Sequence, residues 1–423
     1  MQTIIHTDVV VLGGGSAGVA AAVAAAEAGM NVTLIERNAF LGGKATAAEV
    51  GTVCGLYKFS RGESSEYIVS GFVREFAELL KKGSRTEALH NNTGLHYLPY
   101  NIDVFKKTCD NLLKENRVKV YFNSTLHTIS LIGGTIESVT ISTEDKTIQL
   151  HLKSIIDCSG DSIISQFANL PLIKSDNYQA AAQVFTLKDV AETNEAKLGM
   201  VLMKALRQGI NDKQLDHYFD RVYIVQGSLK NNAVSLKIGI PLPVTHTPEN
   251  LLELKITAHA FVKTLTDYLT KHVPAFHDAS LQHIAPEIGV RVGMRTVGQY
   301  ILTEEDVLNC RKFDDAIANA SWPIEEWEQN RRVKMRYFAM DDHYQVPAGC
   351  LQSEAVDNLF TAGRNISATD SAIASARVMG TCLQTGYAAG KLAAAKAGQL
   401  SAAEAVKQLQ QEMFSECDDI SLR

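Results

Sequence analysis

Six residues near the start of the chain, Gly13-Gly14-Gly15-Ser16-Ala17-Gly18, carry the Gly-x-Gly-x-x-Gly spacing with which a backbone wraps a pyrophosphate. Gly13 permits a tight turn, Gly15 leaves the backbone bare where a phosphate must approach, and Gly18 lets a helix pack close on a strand. Ser16 and Ala17 would open that helix, whose free N–H groups and positive dipole end suit an anion. Glu36 stands about 20 residues further on, where a carboxylate accepts hydrogen bonds from both ribose hydroxyls and repels a 2′-phosphate. These residues together point to a dinucleotide without a 2′-phosphate, FAD or NAD rather than NADP. Elsewhere, Arg291, Arg295 and Arg377 are candidates to hold a carboxylate or phosphate through a bidentate guanidinium. Their alternative role is an ordinary ion pair, such as Glu287 with Arg291. His343, in Asp341-Asp342-His343-Tyr344, could act as general acid or base, set against a solvated or structural role beside its acids. Tyr337 and Tyr344 are further candidates.

The elements that must position these groups are readable in order. Asp8 to Leu12 is a short apolar run that reads as a strand, Ser16 to Ala28 is an alanine-rich helix without a breaker, and Asn31 to Glu36 reads as a second strand. Val118 to Leu126 and Thr135 to Leu152 alternate apolar and polar residues around Gly133-Gly134, giving a strand and then an antiparallel hairpin arm. The apolar pair Ile155-Ile156 closes a parallel sheet and brings Gly160 toward the pyrophosphate. Later come strand-like Ala180 to Leu187 and a helix around Asn250 to Leu269. A terminal amphipathic helix over 402–414 is capped by Ser401 with Glu404. Internal repeats and low-complexity segments are absent.

Beyond Glu36 the chain runs Arg37-Asn38-Ala39-Phe40-Leu41-Gly42-Gly43-Lys44-Ala45-Thr46. A Gly-Gly pair followed by a small hydroxyl residue resembles the second FAD contact of succinate dehydrogenase and fumarate reductase type flavoproteins. The closing block, residues 358–395, is similar to the signature of the FAD-dependent oxidoreductase family grouped with heterodisulfide-reductase-A-like flavoproteins. So are Ile156-Asp157-Cys158-Ser159-Gly160-Asp161 and the segments 289–291 and 303–306. The resemblance covers most of the chain in scattered blocks. It implies FAD, with Arg37, Gly42, Gly43, Lys44 and Thr46 as a second group of contacts and Ser159, Gly160 and Asp161 near the pyrophosphate. Leu126 joins the same site. It also implies Gly363 and Arg364 beside the ribityl chain, with Gly380, Thr381 and Cys382 opening a helix aimed at the flavin N1/O2 edge, where negative charge develops on reduction.

The chain departs from the family in two ways. Cysteine clusters that hold iron–sulfur centres in relatives are missing, which implies an enzyme that works alone. Asp370 stands where the closing loop commonly carries a histidine, so no catalytic role is transferred there. The stretch just after Gly43 lacks a histidine, which favours noncovalent FAD, and the absence of a second dinucleotide fold leaves the electron acceptor open. Cys54 would reach the flavin only if the segment after Gly43 folds back over the ring.

At 423 residues the chain exceeds the ~250–300 residues of a single core. The expected fold class is α/β, a Rossmann-like FAD-binding domain from 1–171 and 341–423 around an inserted α+β substrate domain, 172–340. A net charge of -6 without like-charge runs gives no reason to bind nucleic acid or an anionic membrane. The small-residue run from Val19 to Ala26 is too short for a bilayer. Seven dispersed cysteines, Cys54, Cys109, Cys158, Cys310, Cys350, Cys382 and Cys417, fit reduced thiols in the cytoplasm rather than a metal site or disulfide framework. The expected activity is hydride transfer between flavin N5 and a small organic substrate, anionic where the arginines hold it. The rivals are an NAD-linked dehydrogenase and a non-catalytic FAD-stabilised binding or assembly protein.

Overall fold

The computed structural model describes residues 3–176, 178–328, 333–398 and 400–414, so Cys417 lies outside the described residues. A five-stranded parallel sheet runs in the order Leu359–Thr361, Ser154–Asp157, Val9–Leu12, Val32–Ile35, Lys119–Tyr121. Its central strands are buried on both faces, as a sheet covered on both sides requires. Along Val9–Leu12 the side chains divide by alternation. Val9 and Val11 enter a helical layer, while Val10 and Leu12 face a second, four-stranded sheet. That second sheet holds the antiparallel arm Thr125–Ile132, Thr135–Ser142 and Thr147–His151, with Thr3–His6 added parallel at its edge. The strand Ser154–Asp157 sits inside the sheet, and Leu359–Thr361 closes the edge instead.

The helical layer explains why both nucleotide-domain helices are so rich in alanine and glycine. Ser16–Glu27 packs along Met379–Gly398 so closely that an added Cβ at Gly386 would sit 2.2 Å from the Ala17 carbonyl oxygen. At Gly390 the corresponding distance to the Ala21 carbonyl oxygen is 2.3 Å. Small residues one helical turn apart thus let two backbones meet, and neither helix shows a polar face over most of its length. The helix Ala402–Phe414 follows, with Ser401 and Glu404 exchanging hydrogen bonds as a capping box.

The insert is α+β. Val222–Ile224, Val234–Gly239, Ala182–Lys188 and Ser280–Ile284 form an antiparallel sheet. Helices Glu195–Asn211 and Pro248–His272 cover one face, burying Phe185, Leu187, Leu236, Ile238, Leu202 and Leu265 in a separate core. Sequence reading places the insert at 172–340, and part of that range packs with the nucleotide-binding layers. Val292, Leu302, Ile317, Ala320 and Trp322 join the helical-layer core, and Ala316–Ala320 pairs with Tyr344–Pro347. Among the described residues no helix is long and apolar enough to cross a membrane.

Candidate functional site

A cavity of about 570 Å³ runs from the first glycine turn to the sheet of the insert. Its near end is made of backbone. Gly13 has φ +100°, and a Cβ there would lie 2.6 Å from the Cys158 carbonyl oxygen; one at Gly18 would lie 1.8 Å from the Gly13 carbonyl oxygen. Both positions are glycine because protein already fills the space. Gly15 differs. A Cβ there meets nothing closer than the Gly43 Cα at 3.8 Å, and its backbone has ordinary φ -71°. The bare side of Gly15 faces the cavity, which is the opening a pyrophosphate needs.

The second glycine pair is built onto the first. Gly42 N–H donates to the Gly14 carbonyl at 2.8 Å, and a Cβ on Gly43 would come 2.8 Å from the Gly15 Cα. The Thr46 hydroxyl donates back to the Leu41 carbonyl at 2.6 Å, closing that turn. Glu36 is 4% exposed; its two oxygens accept from the N–H groups of Gly14 at 2.6 Å and Asn38 at 2.8 Å. Burial pushes its carboxyl above the usual range, while the two backbone donors pull the other way. A carboxylate has further lone pairs for ribose hydroxyls.

Over this end the insert sends Glu287. Arg37 reaches it at 2.8 Å and Lys44 at 2.6 Å, and Lys44 also donates to the Ile288 carbonyl at 2.9 Å. Sequence reading paired Glu287 with Arg291, and the structure pairs it with Arg37 and Lys44 instead. Burial opposes ionisation of Glu287, but the Lys44 and Arg37 charges overcome it and hold the carboxyl at about 2. Arg364 donates to the Val290 carbonyl at 2.8 Å and lies against Gly160.

At the far end, side chains replace backbone. Lys237, Arg291, Arg377, Glu325, Trp322, Trp327, Cys54 and Cys382 line the wall. The two tryptophans, the only ones in the chain, donate their Nε1–H groups to the two oxygens of Glu325, each at 3.0 Å. The Arg291 guanidinium lies 4.0 Å over the Trp327 ring and donates to the Ala180 carbonyl. Arg377 donates to Gln179 and to the Glu325 carbonyl, both at 3.2 Å, and its buried Nε has no partner among the described residues. Burial, then neighbouring Arg377, lowers Arg291 to about 9; burial likewise lowers Arg377. Burial lifts Cys54 and Cys382 to about 12, so both stay neutral thiols. Cys54 is here because the segment after Gly43 does fold back: Gly55 packs under Gly380, where a Cβ would meet the Gly55 carbonyl oxygen at 2.3 Å.

Of the nominated residues, Gly13, Gly15, Ser16, Ala17, Glu36, Arg37, Gly42, Gly43, Lys44, Leu126, Ser159, Gly160, Asp161, Gly363, Arg364, Cys382, Arg291 and Arg377 line the cavity. Gly18, Thr46, Gly380 and Thr381 stand behind its wall. Arg295 and His343 are elsewhere. Arg295 is 0% exposed and bound to Asp370, whose carboxylate also accepts from Ser175 at 2.6 Å, so this arginine serves the fold. His343 sits in a turn whose carbonyl takes a hydrogen bond from Lys312; burial, then the Lys312 charge, lowers its imidazole to about 4. Tyr344 is buried against Ser375, 2.6 Å away, and Tyr337 stacks on Phe59. Lys237, Glu325, Trp322 and Trp327 escaped sequence reading. Lys237 left one signal, a lone charge at alternate parity in the strand Val234–Gly239.

The family model described as FAD dependent oxidoreductase matches residues 8–413. A comparison with curated proteins finds no match. Among solved structures the chain is similar to a geranylgeranyl bacteriochlorophyll reductase-like protein from Thermoplasma acidophilum, at 14% identity and TM-score 0.46, covering 96% of this chain and 83% of that one. It is also similar to a flavoprotein/dehydrogenase from Cytophaga hutchinsonii, at 15% identity and TM-score 0.46, with 96% and 83% covered. A third is the p-nitrophenol 4-monooxygenase of Pseudomonas putida, at 12% identity and TM-score 0.44, with 97% and 84% covered.

Proposed function

The chain belongs to the FAD dependent oxidoreductase family, with FAD as its cofactor, and from that premise we propose that it moves hydride between the flavin and a small organic anion. The observation that carries this reading is the charge imbalance at the far end of the cavity, where Lys237, Arg291 and Arg377 face the single carboxylate of Glu325. Cations that burial has made costly are stabilised by an anion entering among them. The bound flavin supplies the redox step through N5.

The glycine turn, Gly42-Gly43 and Glu36 hold the dinucleotide noncovalently at the near end. Arg291 and Arg377 grip the carboxylate of the substrate; Trp327 props the first guanidinium and the Glu325 carbonyl and Gln179 hold the second. Glu325, fixed by both indoles, keeps the wall in place. The strands Ala182–Lys188 and Val234–Gly239 wall this end through Ala182, Val184 and Lys237.

Anaerobic mixing of the FAD-loaded protein with small carboxylic acids and with their methyl esters tests the reading through loss of the visible flavin band. Acids should bleach it and the matching esters should not. Esters that bleach as well as acids would overturn anion recognition. Turnover with an artificial electron acceptor then separates an enzyme from a binding protein.

A further inference from the structure

The cavity holds grips for an anion, yet hydride transfer to or from a carbon that bears O–H or N–H also moves a proton, and among the described residues no histidine lines the wall. Resting on the function proposed above, we propose that Lys237 is the proton-transfer residue: its amine takes the proton from the substrate O–H or N–H while hydride leaves the carbon that bears it. The substrate C–H electron pair goes with its hydrogen to the oxidised flavin. The bond between carbon and the heteroatom becomes double, and the heteroatom's proton binds the lone pair of Lys237. The substrate loses two electrons and two hydrogens, and the lysine later releases its proton to solvent.

Placement follows from strand periodicity. In Val234–Gly239, Val234, Leu236 and Ile238 point into the core of the insert, so Lys237 must point the other way, into the cavity. It sits in one row with Val184 and Tyr223 on the neighbouring strands. Its Nζ lies 4.8 Å from the Trp327 ring centre and 5.9 Å from that of Tyr223. It makes no hydrogen bond or ion pair with the described residues. Facing it are the Arg291 and Arg377 cations, the Glu325 carboxylate, the Cys54 thiol and the Tyr223 phenol.

Those neighbours decide its protonation. Glu325 accepts from the two indole N–H groups and forms no ion pair with the lysine among the described residues. Burial, then the Arg291 charge, lowers Lys237 to about 8. Part of the amine is therefore neutral near pH 8, with a free lone pair in the cavity that it lines together with Arg291 and Arg377. The labour is divided between anchoring by the two guanidinium groups and proton transfer by the amine.

The direct test reads the amine without turnover. Lysines of the FAD-loaded protein are dimethylated with ¹³C-formaldehyde, and the resonance missing from Lys237→Arg is followed against pH by NMR. A midpoint near pH 8 is expected, against about 10.4 for ordinary lysines. A midpoint near 10, or an amine that never labels while the others do, overturns the proposal. With an acid found in the bleaching screen, Lys237→Met and Lys237→Arg should each lower kcat by about 100-fold or more with little change in KM. The wild-type rise of kcat with pH through about 8 should vanish in both. An arginine variant that keeps its rate would make Lys237 a charge only, and the proposal would fail. If no acid bleaches the flavin, the substrate reading fails while the NMR midpoint still decides the state of the amine.

Discussion

The two ends of the cavity are built by different means. The near end presents backbone, at Gly13, Gly15 and the turn of Gly42 and Gly43, with side chains Arg37, Lys44 and Arg364 balanced by Glu36, Asp161 and Glu287. The far end presents side chains from segments scattered between residues 54 and 382, and the charges do not balance. A backbone cradle can hold one cofactor through evolution of everything else. A wall of side chains can be altered residue by residue to suit a substrate.

Substitutions should separate the ends. Among the charged side chains that grip a ligand, the larger effect is expected from Arg291→Ala, which removes a charge-assisted grip worth about 1.5–3 kcal/mol and should raise substrate KM by roughly 10–100-fold. FAD affinity measured by absorbance titration should stay as it was; a fall in both would merge the two ends into one. Glu36→Ala should do the converse, weakening FAD by roughly tenfold through hydrogen bonds lost from the ribose and the Gly14 and Asn38 N–H groups. Substrate KM at saturating FAD should hold.

Glu287→Gln probes the strap between insert and cradle. Because the folded carboxyl is held at about 2, below its ordinary 4.5, its stabilisation is complete above about pH 4.5 and is lost as pH falls toward about 2. Denaturant unfolding should show wild type losing stability more steeply than the variant between about pH 6 and about pH 3; parallel curves would mean that the strap contributes nothing. The smallest effect is expected from His343→Gln, which should leave kcat, KM and their pH dependence unchanged in steady-state assays. A loss of activity there would bring the histidine back into the chemistry.

The same contrast explains what the sequence disclosed. The glycine turns and Glu36 of the near end lie within residues 13–43, where turn geometry and close approach dictate the glycines, so Gly13 through Gly18, Glu36 and Gly42-Gly43 were legible, whereas Glu287 is brought there by the fold. The parallel sheet and both small-residue helices were legible for the same local reason. The far end depends on which strands meet. Arg291 and Arg295 are four residues apart and alike in type, but one stacks on Trp327 and the other is buried with Asp370, a difference that only the fold makes. Lys237 and the two tryptophans reach the wall from segments far apart in the chain, and no spacing joins them. His343 was nominated by type alone, and its surroundings give it no reacting partner.

The measurement that bears most directly on a cofactor held by bare backbone is FAD titration of Gly15→Val beside wild type, with unfolding of both proteins followed without FAD. The backbone at Gly15 accepts a side chain and no protein atom lies within 3.8 Å of a Cβ there. The variant should therefore fold with an unchanged unfolding midpoint and bind FAD about 100-fold more weakly or worse, roughly 2.8 kcal/mol. An unchanged dissociation constant in that folded variant would show that the dinucleotide does not cross Gly15, and the site described here would be the wrong one.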